Sequence, residues 1–305
     1  MSGRSTIRFD SHGTECDAWF FTSDDASPFD STAGRPVVVM AHGFGGTKDS
    51  GLEPFARRLA ATGLAVFAFD YRGFGASEGT PRQRVHLAGQ IEDYRSAIAA
   101  AGRQPGVDRS RVVLWGISQS GGHVLTLAAE RADVCAAIAV APMVSGLSAG
   151  RHALNQHGPL AMATSTVSGV RSALATRLGA APTMLPLVGR PGERAALTAE
   201  GYYESYLALA GPTWRNEVEA SVGLELGGYR ADRRVERITA PVLVQIADFD
   251  RAAPPRAAAK VAFTAHAEVR HYPCDHFDIF AGNDWFEPTV ADQIRFLSRK
   301  LAGEE

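Results

Sequence analysis

Trp115-Gly116-Ile117-Ser118-Gln119-Ser120-Gly121-Gly122 links an apolar strand pattern at residues 111–115 to a helical pattern at residues 119–130. A serine at the tip of such a strand-to-helix turn is held at strained φ and ψ angles, so small residues two positions before and after it avoid clashes. Gly116 fits the first of these positions, and Ser120 stands where glycine is usual. The helix directs unpaired N–H groups at the turn, where they would stabilise developing negative charge. This stretch therefore predicts a reactive Ser118.

Strand and helix patterns alternate on both sides of this turn. Near-continuous apolar runs predict strands that are buried on both faces, and helical periodicity fills the gaps between them. The predicted strands are residues 37–41, 64–69, 111–115, 136–140, 241–246 and 268–272, and the predicted helices are residues 52–61, 86–101, 119–130, 255–263 and 289–301. This alternation predicts an α/β fold with a mostly parallel, doubly wound sheet. Residues 7–21 alternate apolar and polar around Ser11-His12-Gly13, which predicts an antiparallel hairpin at the N-terminal edge.

The alternation stops between about residues 145 and 237. This stretch contains helix-like segments at residues 161–178, 192–210 and 214–224, and no clear strand. We interpret it as a helical insertion over the C-terminal strand ends, where open α/β sheets bind ligands. The predicted organisation is a core domain of residues 1–144 and 238–305 with a cap of residues 145–237. A second domain with a role of its own is the alternative, although no linker-like run borders the stretch.

The composition excludes several classes of protein. With 31 basic and 33 acidic residues and a net charge of −2, the chain has no field that would attract a polyanion. Its three cysteines form no Cys-x-x-Cys pair, and the N-terminus lacks the apolar segment of a signal peptide. The sequence contains no run of about 20 consecutive apolar residues, the length needed to cross a bilayer. We therefore expect a cytoplasmic protein that binds no nucleic acid, membrane, metal or cofactor, while self-association into a homo-oligomer stays open.

Several segments resemble the α/β-hydrolase family of serine hydrolases. The turn at Ser118 looks like the family's nucleophile elbow, G-x-S-x-G, with serine in place of the last glycine. His42-Gly43-Phe44-Gly45-Gly46 is similar to the loop that supplies one N–H of the family's oxyanion hole, which implies the N–H groups of Phe44 and Gln119 as donors. Asp70-Tyr71-Arg72-Gly73-Phe74-Gly75-Ala76-Ser77 looks like the family's D-x-R-G-x-G-x-S segment, in which we expect Asp70 and Arg72 to fasten loops.

The family order of serine, acid and histidine implies the rest of a catalytic triad. Asp250 follows the predicted strand 241–246 and matches the family's acid, although Asp248 stays open as the alternative. His276 follows the predicted strand 268–272, where the family places its base. The resemblance thus implies Ser118 as nucleophile, His276 as base and Asp250 as the acid that orients the base. It covers residues 35–145 and 235–300, approximately.

The form of the elbow, Ser-x-Ser-Gly-Gly, is similar to that of bacterial esterases related to the dienelactone hydrolase and prolyl-peptidase branches. Dienelactone hydrolase has a cysteine where Ser118 stands, so its substrate is not implied. Ser120 is an alternative nucleophile, framed by Ser118 and Gly122, but it would lengthen the strand and lose the preceding glycine. Cys274 is next to Asp275 and His276 but is not part of a nucleophile elbow, so we expect it to take no part in catalysis.

The remaining histidines and aromatic residues predict structural roles. We expect His42 and His123 to pack around the site, and His152 and His157 lack the neighbouring ligands that a metal site needs. The insertion also carries an aromatic group, for which core packing is the first expectation and a wall facing the substrate is the sharper hypothesis. Its members are Tyr202, Tyr203, Tyr206 and Trp214.

The predicted function is hydrolysis of a carboxylic ester or related acyl bond in a small-molecule acyl substrate, through an acyl-enzyme. The same site would serve C–C bond hydrolysis or intramolecular acyl transfer, such as lactonisation or cyclisation, if the cap excluded water. Two alternatives come from other classes: a non-catalytic homologue that kept the pocket, and an oxidoreductase that binds a nucleotide at the glycine-rich loops. The second lacks the third glycine of a dinucleotide loop and the Gly-Lys-Thr of a P-loop.

Overall fold

An eight-stranded sheet forms the centre of the molecule. The computed structural model describes residues 3–22 and 26–301, with only the backbone for residue 153 and residues 155–165. The strands are β1 (Gly3–Ser11), β2 (Thr14–Thr22), β3 (Arg35–Ala41), β4 (Ala65–Phe69), β5 (Val107–Ile117), β6 (Val134–Val140), β7 (Met184–Leu185), β8 (Val218–Glu219), β9 (Val242–Ala247) and β10 (Glu268–Tyr272). All except β7 and β8 join the central sheet, in the order β1-β2-β4-β3-β5-β6-β9-β10.

The six strands from β4 to β10 along this sheet run parallel to one another, whereas β2 pairs antiparallel with both β1 and β4. The predicted hairpin is confirmed, since His12 and Gly13 have φ angles of 52° and 78°, as expected of a type I′ turn between β1 and β2. The mostly parallel arrangement confirms the predicted fold, which is the α/β-hydrolase fold.

Helices cover the sheet because its central strands are apolar at nearly every position. All five residues of β4 are buried, which requires packing on both faces. The helices are α1 (Leu52–Ala60), α2 (Leu87–Ala101), α3 (Gln119–Glu130), α4 (Gly146–Arg177), α5 (Tyr202–Leu209), α6 (Val222–Gly227), α7 (Pro255–Thr264) and α8 (Phe286–Leu301). Of these, α3 lies against β5 and β6, while α1 and α8 contact each other. The start of α3 is thereby fixed at the end of β5.

The stretch between β6 and β9 differs from the prediction in two ways. It contains strands, because β7 and β8 pair antiparallel in a small separate sheet. Its helices also lie elsewhere than predicted, because α4 begins at Gly146 rather than at residue 161, α5 covers only the end of the segment predicted at residues 192–210, and α6 begins at Val222, near the end of the segment predicted at residues 214–224. Gly192 and Gly201 have φ angles of 87° and 80°, in the left-handed region that interrupts a helix.

The chain leaves the central sheet after β6 and returns to it at β9. We therefore retain as a proposal that residues 145–237 form a cap on a core of residues 1–144 and 238–305. The longest helix of this stretch, α4, has 32 residues. Across residues 3–22 and 26–301, no helix combines the length and the apolar character needed to span a membrane.

Candidate active site

The candidate site lies where four parallel strands end. Phe44, Ser118, Asp250 and His276 follow the carboxyl ends of β3, β5, β9 and β10, respectively. The carboxyl ends of parallel strands share one edge of a sheet, and ligands bind at that edge in open α/β folds. The topology therefore gathers all the residues implied by the elbow and its companion loops.

Ser118 occupies the strained position that the sequence predicts. Its φ and ψ angles are 57° and −120°, between the last residue of β5 and the first residue of α3. Gly116 has to be glycine, since a Cβ atom there would lie 2.3 Å from the carbonyl oxygen of Ser120. The backbone of Ser118 is fixed by β6, because its N–H donates to the carbonyl of Val140 at 2.8 Å. The serine side chain is partly exposed.

Ser120 faces the opposite way. Its side chain is buried, and its hydroxyl contacts the Tyr71 hydroxyl at 2.5 Å and donates to the carbonyl oxygen of His42. The hydroxyl therefore ties the elbow to the neighbouring glycine-rich loop, which gives a structural reason for serine at the usual glycine position. This placement argues against Ser120 as the nucleophile.

Asp250 and His276 form a buried pair. The Asp250 Oδ2 atom lies 2.6 Å from His276 Nδ1, and its Oδ1 atom accepts the N–H groups of Ala252 and Ala253 at 2.7 and 2.6 Å. Burial alone would lower the pKa of His276, but the charge and hydrogen bond of Asp250, together with the charge of Asp275, raise it above its usual value. With Nδ1 engaged by a carboxylate, Nε2 is the ring atom left to exchange a proton with substrate or serine.

The alternative acid lies elsewhere. Asp248 Oδ1 lies 2.7 Å from Nδ1 of His271, a histidine on β10 whose side chain is exposed. Within the described residues, no hydrogen bond joins Ser118 to His276. Serine–base hydrogen bonds are often long or poorly aligned before substrate binds, so a missing bond here does not argue against the pair.

The two candidate oxyanion donors are the backbone N–H groups of Gln119 and Phe44. Gln119 is the first residue of α3, so its N–H has no acceptor within the helix. The loop that carries Phe44 approaches Ser118 closely, because a Cβ atom at Gly43 would lie 2.9 Å from Ser118 Cβ. Glycine at residue 43 is thus what lets this loop reach the serine.

The loop-fastening roles of Asp70 and Arg72 are confirmed. Asp70 accepts hydrogen bonds from the N–H groups of Lys48 and Ala76 at 2.6 and 3.0 Å, and Arg72 binds the Asp93 carboxylate. The Lys48 ammonium is buried between Asp70, at 2.6 Å, and Asp17, at 2.5 Å. Sequence reasoning missed Lys48 as a structural residue. Its rarity in an arginine-rich chain was the available signal.

The other candidates are structural as well. His123 is buried between Tyr229 and Gln90, and burial followed by the nearby His42 lowers its pKa to about 3. Burial and the surrounding carboxylates raise the pKa of Cys274 to about 12, so this thiol is a poor nucleophile.

His152 Nε2 lies 3.1 Å from the carbonyl oxygen of Arg251, and the side chain of His157 lies outside the described residues. Where side chains are described, no three His, Cys, Asp or Glu residues group as metal ligands would.

The aromatic group of the insertion packs onto the loops of the site. Tyr206 stacks on Trp214 with ring centroids 5.0 Å apart, and both Tyr202 and Tyr206 contact Phe277, the residue after His276. The packing prediction is therefore confirmed for these three residues. Sequence reasoning missed that their partners are the loops around Phe44 and His276. Asp275 holds the loop beside it, since its side chain accepts the N–H of His276 at 2.7 Å.

Comparison with known proteins places the chain in a family. A family model described as serine aminopeptidase, S33, matches residues 32–276. The quorum-quenching protein AidA of Acinetobacter baumannii (strain MDR-ZJ06) is 38% identical over 296 residues, which are 96% of this chain and 94% of AidA. The polyketide transferase grgF of a Penicillium species is 34% identical over 116 residues, which are 38% of this chain and 40% of grgF.

Solved structures share the fold. The α/β hydrolase GrgF from Penicillium sp. sh18 superimposes with a TM-score of 0.79 at 22% identity, covering 99% of this chain and 100% of GrgF. DcsB, in complex with its substrate analogue, gives a TM-score of 0.81 at 20% identity, with 99% and 100% of the two chains covered. On the match over residues 32–276 and the similarity to AidA along nearly its whole length, the chain belongs to the serine aminopeptidase S33 family of α/β hydrolases.

Proposed function

We propose that the protein is a serine hydrolase that cleaves a carboxylic ester or a related acyl bond through an acyl-enzyme on Ser118. The observation that carries this proposal is the buried 2.6 Å hydrogen bond between His276 Nδ1 and Asp250 Oδ2. A carboxylate at Nδ1 holds the imidazole in the tautomer whose Nε2 can accept a proton, and it stabilises the imidazolium that forms. A surface histidine with a purely structural role would not need this arrangement at the edge of the sheet.

The reaction takes two steps, acylation of Ser118 and hydrolysis of the acyl-enzyme. The Ser118 hydroxyl attacks the substrate carbonyl while His276 Nε2 takes its proton, and the N–H groups of Phe44 and Gln119 stabilise the oxyanion. The tetrahedral intermediate collapses to the acyl-enzyme as His276 returns the proton to the leaving group. Water then attacks the acyl-enzyme with the same base, and Ser118 is released with the carboxylic acid. Asp250 stays ionised throughout.

Among acyl substrates, the similarity to the quorum-quenching protein AidA favours an ester that acts as a signal, and a lactone is the cyclic form of an ester. A quorum-quenching protein removes a signalling molecule, and a serine hydrolase can do this to a signal that contains an ester bond. The similarity spans 96% of this chain, so it includes the insertion as well as the core. Opening a lactone needs no second leaving molecule, because the alkoxide that departs remains attached to the acyl group.

Intramolecular acyl transfer is the second candidate, favoured by the similarity to the polyketide transferase grgF. In that reaction, a hydroxyl of the substrate replaces water in the second step, and the same groups act as acid and base. C–C bond hydrolysis would use the same site. A homologue that binds ligand without turnover would not require a buried Asp250–His276 pair.

A panel of activated esters, thioesters, amides and N-acyl lactones tests the proposal on wild type, Ser118→Ala and, as a matched control, Ser120→Ala. We expect hydrolysis of at least one ester or lactone, with kcat reduced about 10³-fold or more in Ser118→Ala. Ser120→Ala should retain hydrolysis, because it leaves Ser118 in place. Product analysis by mass separates added water from cyclised product. Equal activity of wild type and Ser118→Ala on every substrate would contradict the assignment.

A further inference from the structure

Helix α5 presents two tyrosines to the candidate site. Tyr202 and Tyr206 are four residues apart and therefore lie on the same face of the helix, where both are buried. Tyr203, on a different face, is only partly buried and lies under the guanidinium of Arg190, 4.4 Å from the ring centroid. The helix thus carries two inward-facing hydroxyls and one tyrosine that can serve as their control.

Tyr206 contacts the loop that carries one oxyanion donor. Its hydroxyl donates a hydrogen bond to the carbonyl oxygen of Phe44 at 3.0 Å. Phe44 stands between Gly43 and Gly45, and Gly45 has a φ angle of 63°. Glycines allow a wide range of backbone angles, so contacts from outside the loop help to keep it in one conformation. The Tyr206 hydroxyl is such a contact, made to the carbonyl of the residue whose N–H is the candidate oxyanion donor.

Tyr202 contacts the turn that carries the base. Its hydroxyl donates to Asp275 Oδ1 at 2.9 Å, and the same oxygen accepts the N–H groups of His276 and Arg251 at 2.7 and 3.0 Å. Arg251 directly follows Asp250, so Asp275 joins the turn of the acid to the turn of the base. Burial, followed by the charges of Asp250 and Asp275, raises the pKa of Tyr202, which keeps its hydroxyl a donor.

Phe277 connects the two contacts. Its ring centroid lies 4.8 Å from that of Tyr202, 5.5 Å from that of Tyr206 and 5.2 Å from that of His276. The two tyrosines and the base therefore share one packed aromatic cluster. A movement of α5 would act on the oxyanion loop and on the histidine turn together.

We propose that Tyr202 and Tyr206 are positioning residues, through which α5 holds the His276 turn and the Phe44 loop in the arrangement that acyl transfer requires. The inference rests on the proposed function and deepens it. It makes the insertion part of the catalytic assembly rather than only a cover. Removing one oxyanion-hole donor lowers kcat about 10²–10³-fold in a studied protease, and a displaced donor should cost part of that.

Single removal of each hydroxyl tests the proposal. Tyr202→Phe and Tyr206→Phe keep the rings and their packing, and Tyr203→Phe is the matched control. We expect kcat to fall about 10-fold in each of the first two variants, with KM changed less than about twofold. Tyr203→Phe should behave as wild type. If the two hydroxyls contributed only to stability, their removal would lower the melting temperature but would not lower kcat selectively while KM stays the same.

Hydrogen–deuterium exchange gives a readout that does not depend on activity. Tyr206→Phe should speed exchange in peptides that cover residues 42–47 and leave residues 275–278 unchanged, whereas Tyr202→Phe should do the reverse. Unchanged exchange in both loops, or unchanged kcat in both variants, would overturn the positioning role. Failure of wild type to react with any panel substrate or with a fluorophosphonate would instead overturn the proposed function, and the exchange pattern would still decide whether α5 anchors the loops.

Discussion

Two carboxylate–histidine pairs lie at the carboxyl ends of β9 and β10, and they differ mainly in burial. Asp250 and His276 lie 2.6 Å apart with side-chain exposures of 2% and 6%. Asp248 and His271 lie 2.7 Å apart, yet their side chains are 39% and 52% exposed. A short distance between a carboxylate and an imidazole is therefore no mark of function. Water screens the exposed pair, and such surface pairs contribute only about 0–1 kcal/mol to stability.

Neighbouring groups hold both members of the buried pair in a fixed orientation. Asp250 is held by two backbone N–H groups, and His276 is held by its own N–H bond to Asp275 and by ring contact with Phe277. No comparable set of contacts surrounds the exposed pair among the described residues. Burial with fixed partners thus separates the proposed base, His276, from a histidine that pairs at the surface.

The largest expected difference comes from removing each imidazole. His276→Ala should lower kcat about 10⁴-fold or more, because the general base is lost, whereas His271→Ala should stay within about twofold of wild type. Steady-state kinetics on the best ester of the panel measures both. Similar losses in the two variants would mean that burial does not distinguish the pairs.

Replacing each carboxylate should give a smaller contrast. Asp250→Asn keeps the shape but removes the charge that stabilises the imidazolium and fixes its tautomer, so kcat should fall about 10³-fold. Asp248→Asn should leave kcat unchanged. The comparison would fail if Asp248→Asn were the more damaging substitution.

The smallest expected effect is a shift in pH dependence. His276 must be neutral to act as a base, so kcat/KM should fall as the pH drops through its pKa, which lies above the usual 6.5. Asp250→Asn removes a charge that raises this pKa and leaves the burial that lowers it. The acid limb of its residual activity should therefore move to lower pH, whereas Asp248→Asn should leave the limb in place. A limb that moves to higher pH in Asp250→Asn would contradict the cause given for the raised pKa.

Local pattern was enough to predict the elements of the central sheet. The final residues of β3, β5 and β9 are apolar at successive positions. Such a pattern can be recognised without knowing which strand pairs with which. The strained turn of Gly116 and Ser118 was predictable from the spacing of small residues between β5 and α3, whereas His276 was chosen on the resemblance to the family. The sequence favoured Asp250 and left Asp248 open, and only the coordinates show that Asp250 contacts His276 while Asp248 contacts His271.

The insertion was less predictable because distant contacts shape it. β7 and β8 have two residues each, and they exist only because Met184 and Leu185 meet Glu219 and Val218. The hydrogen bond from Tyr206 to Phe44 spans 162 positions of the sequence. Periodicity can place an aromatic residue on a helix, but it cannot say which loop that residue will contact.

The central claim is that Ser118 is the nucleophile of a serine hydrolase, and covalent labelling tests it most directly. The full-length protein is treated with a fluorophosphonate, digested, and its modified residue identified by mass spectrometry, with Ser118→Ala and Ser120→Ala in parallel. The account predicts a single adduct on Ser118, its loss in Ser118→Ala and its retention in Ser120→Ala. An adduct on Ser120, or no adduct on a folded wild-type protein, would contradict it.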